Sequence, residues 1–476
     1  MVHYRDHWQE VFCFMIQEMT GQASVSEYLG HFEGLTGDER TRKTFGEIIQ
    51  GIINAGSLVC QRIAAHSSLL SKAKEAGQRV SRFATGESTK RSEIDAEHLA
   101  AKLRERGVEQ LAESDSDELW LIADPSDLRK PYAQEMEDLM QVRDLDGKLV
   151  PGYRTLNVLG VTQGRRGILY HRLFSSKAED FVSEPWEVQQ ALKTVSQAVR
   201  HLKEHRPVSW LVDRDFDDVA VWRTIWEQEE HVVCRISHTD RLVAYQRLDG
   251  QWKNGNVVAA QGHLRPLAST RTEMVVRRGR QKKEKRQRVT VDIRACPLRL
   301  TYDTGVRRES GGKEAEKQLW LVEVEVLNAT MKPWLLITDW PVTDAESAVR
   351  IFRMYRQRWA VEDSFKFTKD VLGWEEVQLL DFEGVRTLVA LAWVAAGFLY
   401  ELGVTLEWEE VRFLARLGGW AERKGNRPGK IVLTRGLRRI ADMLATQAFL
   451  EGYRAEHGAL PPNIAAWLGE TPPREL

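Results

Sequence analysis

Cysteine is scarce: four residues in 476, Cys13, Cys60, Cys234 and Cys296, with no two forming a CxxC pair. This excludes a zinc module built on paired thiolates and a disulfide scaffold, and it points to a reducing, cytoplasmic setting. Charge of one sign is also lacking, since 68 Lys and Arg face 69 Asp and Glu for a net charge of −1. The whole-molecule field therefore singles out no acidic or basic partner. The N-terminus, MVHYRDHWQE, has charges where a signal peptide needs an apolar stretch. The longest apolar run, around Leu388 to Tyr400, is too short for a bilayer and reads as a buried helix. No internal repeat is present. What remains is ordinary globular material, 42% apolar and 29% charged, long enough for two to four domains.

The pattern along the chain divides it into five parts. Residues 1–112 read as helical, with apolar residues at three- and four-residue spacing in FGEIIQGIINAG and LVCQRIAAHSSLLSKAKEAGQRVSRFA. Basic residues gather there (Arg40, Arg42, Lys43, Arg62, Lys72, Lys74, Arg79, Arg82, Lys90 and Arg91), and a split near Ser67–Ser68 allows a weak helix-turn-helix reading. ESDSDE, 113–118, is a linker. A mixed α/β layer follows over 113–230: the strand ELWLIAD, the hairpin RTLNVLGVTQGRRGILYHRLF, a helix capped by Ser183, and the strand VSWLVD. Residues 231–330 alternate as strands and form a β-rich insertion. It carries the run RRGRQKKEKRQR, 277–288, with eight basic residues against Glu284, which suits a solvated loop or phosphate contacts equally. Residues 331–402 return to a buried strand, PWLLIT, and a long helix opened by a capping-box pattern over Thr343–Glu346. Residues 403–476 are helical and end in a proline-rich tail.

Chemistry concentrates at three acids. Asp124 and Asp213 each end an apolar strand, and ligands in open α/β sheets gather at such strand ends. On the long helix, Tyr355, Arg358, Glu362 and Lys369 are spaced by three, four and seven residues, so they share one face. Two strand-end aspartates and a helix glutamate make a hard-oxygen site suited to Mg²⁺. Two such ions about 3.5–4 Å apart can serve phosphodiester chemistry. Asp127 is a rival first acid, Asp217 and Asp218 read as acids at a helix start, and Asp339 as an outer or structural residue.

The spacing Y-x2-R-x3-E-x6-K within YRQRWAVEDSFKFTK resembles the signature of DDE transposases of the insertion-sequence-four family, which includes the transposon Tn-five transposase. DRDFDD at 213–218 looks like the family's second-aspartate motif and LIADPSDLRKPYA at 121–133 like its first-aspartate strand. The chain departs from the family's usual glycine at Pro125 and Asp215. The resemblance runs from about residue 118 to 400. It implies a ribonuclease-H-like catalytic core split by the insertion, with Asp124, Asp213 and Glu362 as catalytic and metal-holding residues. It implies two Mg²⁺ ions, with Mn²⁺ as a substitute, and DNA phosphates held by Tyr355, Arg358 and Lys369. It also places Trp334, 28 residues before Glu362, beside a base flipped out during hairpin formation.

The function so implied is cut-and-paste DNA transposition: cleavage of transposon ends and transfer of the freed 3′-OH into target DNA. The partners are double-stranded terminal inverted repeats, read by the helical N-terminal region, target DNA, and a second copy of the chain on DNA. Two other readings compete. A ribonuclease-H-like nuclease would cut without joining, and a domesticated DNA-binding protein would bind without cutting.

Overall fold

The computed structural model describes residues 27–67, 73–87, 94–278, 283–304, 314–329, 331–422 and 427–469. Cys13, Lys72, Lys90, Arg91 and the centre of the basic run lie outside the described residues, as does Ser68 of the helix-turn-helix reading.

One large mixed sheet organises the molecule. Its first strand, β1 (Leu119–Arg129), pairs antiparallel with β3 (Leu149–Val161), which pairs on its other side with β2 (Met140–Arg143) and β4 (Arg166–Phe174). On its second edge β1 runs parallel to β5 (Val208–Val212), and β5 runs parallel to β6 (His231–Arg235). The order β4-β3-β1-β5-β6 is a mixed α/β sheet consistent with a ribonuclease-H-like DDE core.

Alternation along these strands supplies two cores. Ile122 and Leu211 face one cluster, while Leu121, Ala123, Trp210 and Val212 face the other. Over the second face lies the helix Glu184–Ala198, where Ser183 accepts the Trp186 N–H at 3.2 Å, the N-cap expected from sequence. Over the first lie the helix Glu39–Ala55 and a helix of 24 residues, Phe382–Thr405, while the helix Ala96–Ala112 gives Leu99 and Leu103 to the first core and Val108 and Leu111 to the second. By length and composition the helix Phe382–Thr405 could cross a membrane, which corrects the shorter run read from sequence, but 78% of its apolar window is buried in the first core. The helix Ala96–Ala112 approaches β4 at Gly107, where a Cβ would come 2.5 Å from the Ile168 carbonyl oxygen. Only a hydrogen side chain allows that approach.

The strands of 231–330 are joined to the same sheet. Beyond β6 the order continues through β12 (Trp334–Thr338), β11 (Glu314–Val326) and β10 (Lys283–Asp303) to β7 (Leu242–Gln246) and β8 (Trp252–Asn256), with β9 (Arg265–Arg278) along β10.

Three local expectations need correction. β1 does not end on Asp124 but runs on to Arg129 against β3; only its parallel pairing with β5 stops, at Ala123–Val212. Pro125, which has no N–H to donate, falls just beyond that stop. The long helix is two helices, α1 (Ala345–Arg356) and α2 (Trp359–Asp370). Between them the backbone bonds tighten to three-residue spacing, Gln357 to Met354 at 2.9 Å and Arg358 to Tyr355 at 3.1 Å. The capping box at the start of α1 is Asp344 with Ser347, one residue later than the Thr343–Glu346 pattern.

Candidate active site

Asp213 follows the last residue of β5, and its Oδ1 accepts the Arg214 N–H at 2.7 Å as the chain turns into a short 3₁₀ segment. Asp124 stands on the neighbouring strand where β1 parts from β5. Glu362 lies in the first turn of α2, near the helix's positive end, a favourable place for a carboxylate. The three residues are far apart in sequence and converge on one side chain. The Arg358 guanidinium hydrogen-bonds the Glu362 carboxylate and lies 3.8 Å from Asp124 Oδ2 and 3.8 Å from Asp213 Oδ2.

Arg358 sits at the joint between α1 and α2, only 4% exposed. Burial opposes its charge, but the neighbouring Tyr355 and the carboxylates of Glu362, Asp213 and Asp124 more than offset that and hold its pKa above the usual arginine value. Burial pushes the Asp124 carboxyl up to about 8; Arg358 pulls it down, while Glu362, Asp213 and Asp215 push it further up. Negative charge is therefore crowded at this spot and cations are favoured there. Among the described residues, no group of three His, Cys, Asp or Glu side chains is close enough to hold a metal ion as arranged; the guanidinium stands between the carboxylates. The donor set itself is all carboxylate oxygen, the chemistry that Mg²⁺ takes.

The rest of the signature is brought to the same edge. Tyr355 is 1% exposed, with its hydroxyl unpartnered among the described residues; burial and then Asp213 push its phenol pKa well above the usual value. Lys369 donates to the Asp127 carbonyl at 3.0 Å and pairs with Glu375 at 3.6 Å, and burial lowers its pKa. Asp127 itself lies three residues from Asp124 along β1, so its side chain leaves the opposite face of the strand.

Trp334 is not free to meet DNA with its face. It is 4% exposed and packs against Phe352 and Tyr355, with ring centroids 6.1 and 5.6 Å away. Leu335 takes the less buried side of the strand. Trp359, directly after Arg358, is instead 41% exposed. It lines a cleft of about 360 Å³ with Arg356, Arg286, Met274 and Trp334.

The nearby acids divide by role. Asp218 caps the next helix through the Ala220 N–H, as read from sequence. Asp217 is a buried loop anchor instead, accepting from the Ser237 and His238 N–H groups and from Arg241. Asp339 bonds the Val232 N–H at 2.9 Å, at the opposite end of β6 from the site, and is structural.

Residues 187–396 match the family model of the transposase DDE domain. The match contains Asp213 and Glu362 and begins after Asp124. No curated protein matches the chain. Among solved structures, the cryo-EM structure of the piggyBac transposase synaptic complex with hairpin DNA is similar at 13% identity and a TM-score of 0.38, covering 98% of this chain and 86% of that one.

Proposed function

We propose that the chain is a DNA transposase of the cut-and-paste type, close to the insertion-sequence-four group, with Asp124, Asp213 and Glu362 as its catalytic carboxylates. The observation that carries this reading is their convergence on Arg358 at one sheet edge, in a chain whose residues 187–396 match a transposase DDE domain. When bound, two Mg²⁺ or Mn²⁺ ions would activate the attacking oxygen and stabilise the leaving oxyanion.

The chain's own groups then have distinct tasks. The three carboxylates, one on β1, one just after β5 and one on α2, would hold the ions through oxygen ligands. Arg358 and Lys369 bind phosphates beside the scissile bond, where a planar guanidinium can take two phosphate oxygens at once. Tyr355 offers its unpartnered hydroxyl in the same place. The basic helices before residue 112 recognise the element's terminal repeats, and work on two ends calls for a second copy of the chain on DNA.

The test is an end-cleavage and strand-transfer assay with purified protein. Ala at Asp124, Asp213 or Glu362 abolishes metal-dependent cutting while end binding survives. Normal cutting by Asp124→Ala together with loss in Asp127→Ala moves the first ligand to Asp127. Cutting without any joining of a 3′-OH to target DNA makes the chain a nuclease of the same core.

A further inference from the structure

Arg358 does something in this structure that a phosphate-binding residue does not require: it occupies the place between the three carboxylates. We propose that Arg358 is an exchangeable internal cation, which neutralises Asp124, Asp213 and Glu362 in the free protein and leaves them when divalent metal enters. The inference rests on the reading of those acids as metal ligands.

Three observations carry it. The guanidinium faces all three carboxylates, within 3.8 Å of Asp124 and of Asp213 and hydrogen-bonded to Glu362. Yet it is poorly held. Its Nε and Nη1 are buried with no hydrogen-bond partner among the described residues, so charge rather than a saturated hydrogen-bond network keeps it there. Nε of the buried Arg386 is likewise unpartnered, so it is the place among three carboxylates that sets Arg358 apart. Lastly, its backbone belongs to the joint: it caps α2 without a side-chain capping bond, between helices ending at Arg356 and starting at Trp359.

The charge balance gives the direction. With all three carboxylates ionised, they and the one guanidinium leave the cluster at −2. A divalent ion attracts the carboxylates more strongly than a guanidinium does, and once it is present a confined guanidinium beside it is repelled. The released side chain still has unsatisfied planar donors, and a backbone phosphate brought to the same ions satisfies two of them. Metal entry and phosphate capture would then be coupled steps, and the free protein would bind metal weakly until the arginine has somewhere to go. Coupling of this kind typically amounts to about 5–150-fold in affinity.

The experiment measures Mn²⁺ binding to the full-length, DNA-free protein by electron paramagnetic resonance, and the thermal midpoint with and without Mn²⁺. The variants are Arg358→Gln, Arg358→Lys and Glu362→Gln. The expected result is that Arg358→Gln binds Mn²⁺ about tenfold more tightly than wild type. Its midpoint, lowered by three uncompensated acids, is restored by Mn²⁺ further than that of wild type. Arg358→Lys keeps the internal charge and stays close to wild type, and Glu362→Gln binds less Mn²⁺. Equal Mn²⁺ affinity in wild type and Arg358→Gln overturns the exchange while leaving the carboxylates as a metal site. Absence of Mn²⁺ binding in every variant overturns the carboxylate reading itself, and the exchange with it.

Discussion

His171 on β4 donates its Nδ1–H to the Asn157 side-chain oxygen at 2.7 Å, and Asn157 is the direct cross-strand neighbour of Asp124. Both residues are buried, and Asn157 in turn donates to Thr155 Oγ1 at 3.0 Å. A polar row thus starts beside Asp124, and the Trp393 ring lies 5.5 Å from that of His171. The imidazole is held neutral. Burial first, and then the positive charge of Arg386, push its pKa down to about 3.

That neutrality makes stability pH-dependent. The unfolded chain takes up the imidazole proton near pH 6.5, whereas the folded chain resists it until about pH 3. The contribution is fully present above pH 6.5 and is lost as pH falls from there toward 3. At pH 5 the loss amounts to about 2 kcal/mol. Urea unfolding at a series of pH values should show wild type taking up about one more proton on unfolding in this window than His171→Gln. Parallel curves for the two proteins would mean that His171 is already protonated in the fold.

Gly107 gives a prediction of opposite sign to helix propensity. In an exposed helix, Gly→Ala gains up to about 1 kcal/mol. Here the added methyl meets the Ile168 carbonyl oxygen at 2.5 Å, a backbone atom that cannot turn aside. Gly107→Ala should therefore lose about 1–3 kcal/mol by denaturant titration. A stabilised variant would show that the helix Ala96–Ala112 stands further from β4 than described.

Lys369 now has internal partners, the Asp127 carbonyl and Glu375, which it must leave or share to reach DNA. Lys369→Ala should lower the salt slope of end binding by roughly one phosphate contact, by the same amount on unrelated flanking sequences. Filter-binding titrations over a range of salt read this directly. A loss confined to one flank sequence would show base recognition instead.

The second half of the site was more legible in the sequence than the first. VSWLVD is a fully buried strand, so its end at Asp213 is marked by the change from apolar to polar residues. Asp124 looks the same locally, but β1 continues because β3 offers a partner as far as Arg129, and distant pairing leaves no local trace. The joint at Arg358 was invisible to periodicity, since a single tightened turn shifts the apolar phase too little. The i, i+4 spacing of Arg358 and Glu362 was readable, and the pair is made. That the same guanidinium faces Asp124 and Asp213 depends on where the sheet edge meets α2, which only the fold supplies. The burial of Trp334 was out of reach for a simpler reason. Alternation tells which residues share a face of β12 but not which face is the more buried, and Trp334 takes the more buried one.

Trp334 and Trp359 should therefore separate stability from DNA handling. Trp334 is held between the Phe352 and Tyr355 rings and pairs across the sheet with Val324. Truncating it should cost about 3–5 kcal/mol, the usual range for a buried tryptophan, and binding and cleavage should fall together with the folded population. Trp359 has much of its ring in solvent, beside Arg356 and Arg286 in the cleft next to Arg358. Its removal exposes little core, so the unfolding free energy of Trp359→Ala should stay within about 1 kcal/mol of wild type. What it should lose is an apolar surface for a base taken out of the helix, where stacking contributes about 1–3 kcal/mol. Competition binding with two versions of the same end, one fully paired and one with an unpaired terminal base, reads this apart from folding. Wild type should prefer the unpaired end, and Trp359→Ala should lose that preference while keeping its affinity for the paired one. If Trp359→Ala keeps the preference, the cleft does not receive the base. If Trp334→Ala alone loses it at unchanged stability, the buried ring must turn out toward DNA on binding.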